Sequence, residues 1–249
     1  AEVDFVPGGA LFSHSLSGAL SADYRQIDWQ SGERWVRIHP NQLGECCDKC
    51  VAYGEQCKGW VVDISIAQQI SEVVEAVAAH FGRIDVLINN AGIAITAPAE
   101  ELSVEAWDKT MEINLRGQFL LAKSVAPHMF KNAWGRVVTL SSQAALIGIE
   151  GHTAYSASKA GVIGMSQCLA LEWGPRGVTS NTISPTVVET EMGQKGWAGE
   201  IGVRARAQIP TRRFALPEEI GLAALFLASD AAAMINGANL VVDGGYTVQ

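Results

Sequence analysis

Tyr155 and Lys159, in the run Tyr155-Ser156-Ala157-Ser158-Lys159, have the residue types and spacing for proton chemistry. On a helix a spacing of four stacks both side chains on one face. A phenol ordinarily titrates near ~10 and is a weak base at neutral pH. An ammonium fixed beside it favours the phenolate and is expected to pull that value down. A phenol tuned in this way can move a proton on or off a substrate oxygen. The spacing alone is a common pattern, so its meaning depends on the groups around it.

Those groups have to be positioned by a scaffold, and from about residue 61 the chain alternates strand-like and helix-like runs. Trp60-Val61-Val62-Asp63 reads as the end of a strand. Residues 70–79 have helical period, with Gly82 as their stop. Residues 84–89 read as a short buried strand, 104–130 as a long amphipathic stretch in two helices, and 135–141 as another strand. A helix over 155–173, a strand over 178–183, a helix over 217–228 and a strand over 240–242 complete the pattern. This alternation predicts an α/β fold with a parallel sheet covered on both faces. In such folds chemistry sits at the carboxyl ends of the strands, where Asn89-Asn90, Ser141-Ser142 and Ser184-Pro185 all fall.

The bulk properties agree with one domain spanning residues 1–249. Apolar residues make up 48% and charged residues 18%, a globular and core-rich balance. A net charge of −8 without a long basic run argues against nucleic acid or an anionic membrane as partner. No apolar stretch has the length of a membrane span, and no signal-peptide pattern opens the sequence, so the cytoplasm is the expected location. Cys46, Cys47, Cys50 and Cys57 crowd together, and Cys47-x-x-Cys50 has zinc-ligand spacing. The second ligand pair is missing, so these cysteines read as reduced thiols without a metal.

Four further features surround the Tyr/Lys pair. Ser142 ends a strand 13 residues before Tyr155, and Asn114 lies in Met111-Glu112-Ile113-Asn114 within the preceding helical stretch. Asn89-Asn90-Ala91-Gly92 closes an earlier strand, and Pro185-Thr186-Val187-Val188-Glu189-Thr190-Glu191-Met192 follows a later one. Together these motifs closely resemble the short-chain dehydrogenase/reductase family over roughly residues 61–249. The resemblance implies a single-domain, doubly wound, Rossmann-like fold and hydride transfer to or from a nicotinamide cofactor. It implies Tyr155 as general acid/base, Lys159 lowering its pKa and holding the ribose, Ser142 on the substrate oxygen, and Asn114 holding a water in a proton relay. It places Asn90, Ala91 and Gly92 beneath the cofactor, Asp63 and Ile64 by the adenine, and Pro185, Val188 and Thr190 near the nicotinamide. It also implies a homotetramer built on two long helices and the C-terminal strand. A catalytically impaired member serving as a binding or oligomer scaffold is the alternative.

Within that family the second half resembles the polyol dehydrogenase branch. The resemblance rests on Ser142-Gln143-Ala144, Glu150-Gly151-His152-Thr153-Ala154-Tyr155, Lys195-Gly196-Trp197-Ala198-Gly199-Glu200 and Val242-Asp243-Gly244-Gly245-Tyr246-Thr247. Thr186 stands where most of the wider family has glycine, which fits this branch. The branch interconverts sugar alcohols and ketoses, generally with NAD. Gln143, His152 and Trp197 are the candidate substrate contacts.

Residues 1–60 are aberrant relative to the family, whose first strand runs into Thr-Gly-x-x-x-Gly-x-Gly. The register is recognisable over residues 9–20, but of those glycines only Gly18 stands, with His14 and Leu20 in the places of others. Gly18 is the remaining candidate contact to the cofactor phosphates. The run Val36-Arg37-Ile38-His39-Pro40-Asn41 has no acid for a ribose, so NAD is expected from the branch while NADP is not excluded. Preserved register with altered chemistry points to a segment read in a shifted frame, with the chain back in frame near Trp60. A resequenced gene with one continuous frame encoding His14 and Leu20 would defeat that reading.

Overall fold

Short strands that are apolar on both faces need cover on both, and the central strands of this chain are of that kind. The computed structural model describes residues 3–5, 10–11, 35–38, 57–190 and 197–248. The strands are β1 (Val3–Phe5), β2 (Ala10–Leu11), β3 (Trp35–Ile38), β4 (Cys57–Gly59), β5 (Val86–Asn89), β6 (Gly135–Leu140), β7 (Val178–Pro185) and β8 (Asn239–Val242). Five form one parallel sheet in the order β2-β5-β6-β7-β8. A separate three-stranded sheet has the order β1-β3-β4, with β1 antiparallel to β3.

The helices are α1 (Ala67–Phe81), α2 (Val104–Met111), α3 (Gln118–Lys131), α4 (Thr153–Trp173), α5 (Gly199–Gln208) and α6 (Pro217–Ala228). Every residue of β5, β6 and β7 is buried. Leu87 and Val137 pack on one face with Val74 and Val77 of α1, Val125 and Met129 of α3 and Leu169 of α4. Val86, Ile88, Val138 and Ile183 pack on the other with Ile220, Ala224 and Leu227 of α6. The alternation follows the two-residue period of a strand. Each fully buried Leu or Ile here contributes about 2 kcal/mol.

Most of the expected elements are present within a residue or two. Gly82, in the left-handed region with φ 81°, stops α1 and donates to Ala78 O at 2.8 Å. The expected strand over residues 60–63 is a correction: the strand lies earlier, at Cys57–Gly59, and 60–63 is irregular. Val62 is fully buried, which explains its apolar character, but Asp63 turns the chain by accepting from Ser65 N and Oγ.

The long amphipathic stretch is two helices, as expected, joined by a π-helical segment over Glu112–Gly117. One extra residue per turn breaks the regular ladder, a device often found at functional sites. Gly117 ends this segment because the chain comes close: a Cβ there would lie 2.7 Å from Ile64 O. Among the described residues no helix is long and apolar enough to cross a membrane.

Candidate active site

Helix α4 is pinned to the carboxyl end of β6 at two points. Lys159, 3% exposed, donates from Nζ to Leu140 O at 2.7 Å. Ser141 Oγ donates to the Lys159 carbonyl at 2.8 Å. One turn earlier, Tyr155 lies with its ring centroid 5.7 Å from Lys159 Nζ, the stacking that the four-residue spacing requires. Ser142 caps a short 3₁₀ turn over Gln143–Ala145, and its Oγ accepts from Ala144 N at 3.1 Å. That bond leaves the Ser142 hydroxyl proton for the Tyr155 phenol, to which it is hydrogen-bonded. Of the two neighbouring serines, Ser141 is committed to the helix and Ser142 meets the phenol.

The electrostatics correct one expectation. Burial holds the Tyr155 phenol above its ordinary value, and the Ser142 hydrogen bond opposes that rise. Burial also brings the Lys159 amine down to about 8. Lysine was expected to acidify the phenol, but the net direction here is upward because desolvation outweighs the opposing Ser142 hydrogen bond. At neutral pH the phenol is therefore a proton donor and the amine is a buried cation.

Asn114 is fully buried in the π segment, and its side chain is engaged at both ends. Its Oδ1 accepts from Ile93 N at 2.8 Å, while Nδ2 donates to Ile93 O at 2.8 Å and to Ser158 Oγ at 3.1 Å. A water-holding role is thus left to its backbone, in a stretch where the helical ladder is shifted. Gln118, four residues later on the same face, donates from Nε2 to Ala91 O at 2.7 Å. Asn114 and Gln118 together fix the loop from Asn90 to Ile93. Sequence reasoning missed Gln118 and Ser158, although the four-residue spacing from Asn114 to Gln118 was a usable signal.

The other candidates are placed as follows. Asp63 is exposed, its carboxyl held below the usual carboxylate range by hydrogen bonds from Ser65. The Ile64 side chain is 1% exposed in the core, so only its backbone can face a ligand. Pro185 ends β7, and Val188 is strapped to Ala215 by a bridge flanked by Ala215 N to Val187 O at 3.0 Å and Glu189 N to Ala215 O at 2.9 Å. Thr190 donates its N–H to Val188 O at 2.7 Å. His152 stands at the start of α4, its ring 6.0 Å from that of Tyr155 in an edge-on contact. Its Nδ1 lies 2.7 Å from Glu150 O, and a carbonyl only accepts, so the neutral ring carries its proton on Nδ1 and offers Nε2 as acceptor. Gln143 is 5% exposed beside Ser142. Trp197 is half-buried with its ring 6.5 Å from that of Phe214, an edge-on packing contact. Gly18, His14, Leu20 and the clustered cysteine side chains lie outside the described residues.

The cluster fits a nicotinamide dinucleotide on its own geometry. A Cβ on Gly92 would sit 3.4 Å from both Lys159 Nζ and Asn114 Oδ1, so the glycine keeps the approach to the ammonium open. Lys159 has three donors, and the Leu140 carbonyl takes one. Among the described residues no group of three or more His, Cys, Asp or Glu could hold a metal ion.

A family model described as enoyl-(acyl carrier protein) reductase matches residues 38–247. The D-threitol dehydrogenase of Mycolicibacterium smegmatis is 55% identical over 192 residues, covering 77% of this chain and 74% of that protein. The NAD-dependent glycerol dehydrogenase of Listeria innocua is 47% identical over 188 residues, covering 76% and 74% respectively. The crystal structure of an NAD⁺-bound xylitol dehydrogenase superposes with a TM-score of 0.75 at 25% identity, covering 79% of this chain and 83% of that one.

Proposed function

The chain belongs to the short-chain dehydrogenase/reductase family and is an NAD(P)-dependent oxidoreductase acting on CH–OH groups, and we propose that it interconverts a small polyol and its ketose using NAD. One observation carries the chemistry: the Tyr155 phenol is hydrogen-bonded to Ser142 while the Lys159 ammonium lies beneath the same ring. The choice of polyol and of NAD is supported by the likeness to the threitol and glycerol enzymes.

The nicotinamide, when bound, supplies or accepts the hydride. This chain's residues manage the oxygen and its proton. Ser142 orients the substrate oxygen with a hydroxyl already fixed by Ala144 N. In the reductive direction Tyr155, neutral at working pH, gives its proton to the oxygen that becomes the alcohol. In the oxidative direction Tyr155 must first lose that proton, so oxidation gains rate as pH rises. Lys159 holds a ribose and stabilises the phenolate as it forms. Asn90, Ala91 and Gly92 carry the cofactor on a loop that Asn114 and Gln118 fix, with Asp63 and the Ile64 backbone at the adenine and Pro185, Val188 and Thr190 at the nicotinamide end. Gln143 and His152 line the substrate side, with Trp197 as the third candidate substrate contact.

The same proposal includes a cytoplasmic homotetramer. Trp107, Phe119 and Leu171 are exposed on α2, α3 and α4, and Val241 on β8. A groove of about 960 Å³ runs along these helices, with Met111, Leu115, Phe119 and Met165 in its lining and Glu105, Asp108, Lys109, Glu112 and Arg116 beside them. Apolar surface of this kind is what a packed helix pair covers.

A panel of C4 to C6 polyols assayed with NAD and with NADP tests the substrate class. The expected result is turnover of at least one polyol with NAD preferred. Absence of both turnover and NADH binding would support the scaffold alternative instead.

A further inference from the structure

Ser158 is fully buried in α4, one position before Lys159, and its hydroxyl both donates and accepts. Its Oγ donates to Tyr155 O at 2.7 Å, one turn back on the same helix. The same oxygen accepts from Asn114 Nδ2 at 3.1 Å. Asn114 in turn brackets Ile93, accepting from its N–H and donating to its carbonyl, both at 2.8 Å. An unbroken series of bonds thus runs from the loop that carries Gly92 and Ile93, through the π segment, to the backbone of Tyr155.

The direction of these bonds is fixed. The Ser158 proton goes to a carbonyl, so the hydroxyl oxygen can only receive. That sets the amine end of the Asn114 carboxamide toward α4, the orientation that its two bonds to Ile93 also require. The helix and the π segment come close at this level. A Cβ on Gly161, three residues after Ser158, would lie 2.9 Å from Leu115 Cδ2. Apolar contact of that kind is non-directional, whereas a hydrogen bond fixes register. His152, at the N-cap of α4, makes no side-chain cap bond, so Ser158 supplies a restraint on the Tyr155 turn that the cap does not.

We propose that Ser158 is a positioning residue: it locks the Tyr155 turn of α4 to the cofactor loop through Asn114, so that the phenol and the nicotinamide reach the substrate in register. This rests on Tyr155 as the proton carrier. Without the hydroxyl, Asn114 keeps both bonds to Ile93, so the loop stays in place and NADH binds as before. What is lost is the register of Tyr155 against that loop, and a small misplacement of a reacting group costs up to about 10²-fold in rate.

The test follows single-turnover reduction of dihydroxyacetone, erythrulose and fructose by NADH on the full chain, with active sites counted by NADH titration. Ser158→Ala is expected to slow reduction of the best ketose about 10–100-fold, with the NADH dissociation constant held within about twofold. In an Asn114→Ala background the same substitution is expected to change the rate by less than about twofold, because the joint is already open. A Ser158→Ala rate equal to wild type overturns the proposal, and so does an equal loss in both backgrounds. A parallel loss of NADH affinity and rate also overturns it, since general loosening would do that. Tyr155→Phe separates this inference from the reading beneath it. Full turnover by that variant overturns both, while its loss beside an unaffected Ser158→Ala overturns the positioning role alone. A wild type that reduces none of the three ketoses overturns the polyol reading and this inference with it.

Discussion

Replacing Lys159 by methionine should make this protein more stable and abolish its activity. The amine is 3% exposed, and burial brings its pKa from 10.5 to about 8. A depression of about 2.5 units, at about 1.4 kcal/mol per unit, sets the cost of holding the charge at about 3 kcal/mol. The sign follows from proton counts: between pH 8 and 10.5 the unfolded chain holds the proton that the folded protein has shed. Stability therefore rises with pH through that window, and the full cost applies below it. Methionine has similar length and no charge, but it leaves Leu140 O without its 2.7 Å donor, which returns about 1–2 kcal/mol of the gain. The net expectation at pH 7 is a gain of about 1–2 kcal/mol, shrinking as pH approaches 10. Urea unfolding of wild type and Lys159→Met at several pH values measures it, with turnover assayed in parallel. A methionine variant that is less stable at pH 7, or a difference that does not change with pH, would refute the reasoning.

Ser141→Ala and Ser142→Ala should separate by activity. Each loses a hydrogen bond and about 1 kcal/mol of stability, while only the second loses about 10²-fold in kcat/KM. Ultraviolet titration of the cofactor-free protein against Tyr155→Phe should place the Tyr155 midpoint above pH 10, since burial raises its pKa from the model-compound value of 10.0. Titration of that phenol below 10 would contradict the desolvation argument. Gly117→Ala should cost about 1–3 kcal/mol by chemical denaturation and weaken cofactor binding, because its Cβ would press on Ile64 O from 2.7 Å. Unchanged stability and unchanged NADH affinity would show that the loop at Ile64 yields freely.

Periodicity and punctuation made much of the scaffold legible. Pro217 opens α6 at its first turn, and Gly82 ends α1 in the left-handed region, both as their residue types predict. Val61 and Val62 misled because β-branched residues suit a strand, yet Val62 is buried from an irregular segment and Asp63 forms a turn. The π segment was invisible because one inserted residue leaves the apolar stripe of a helix nearly unchanged, although Asn114 and Gly117 both fall inside it. Tyr155, Lys159 and Ser142 were legible from spacing. The direction of the phenol's shift was not, since burial belongs to the fold rather than to the motif.

The central claim is that Tyr155 moves the substrate's proton. Its most direct measurement is single-turnover reduction of the best ketose by Tyr155→Phe with NADH, alongside NADH affinity. The expected result is a rate lower by about 10²–10⁴-fold with NADH binding retained, because only the phenolic oxygen has been removed. Full turnover by the phenylalanine variant would contradict the account.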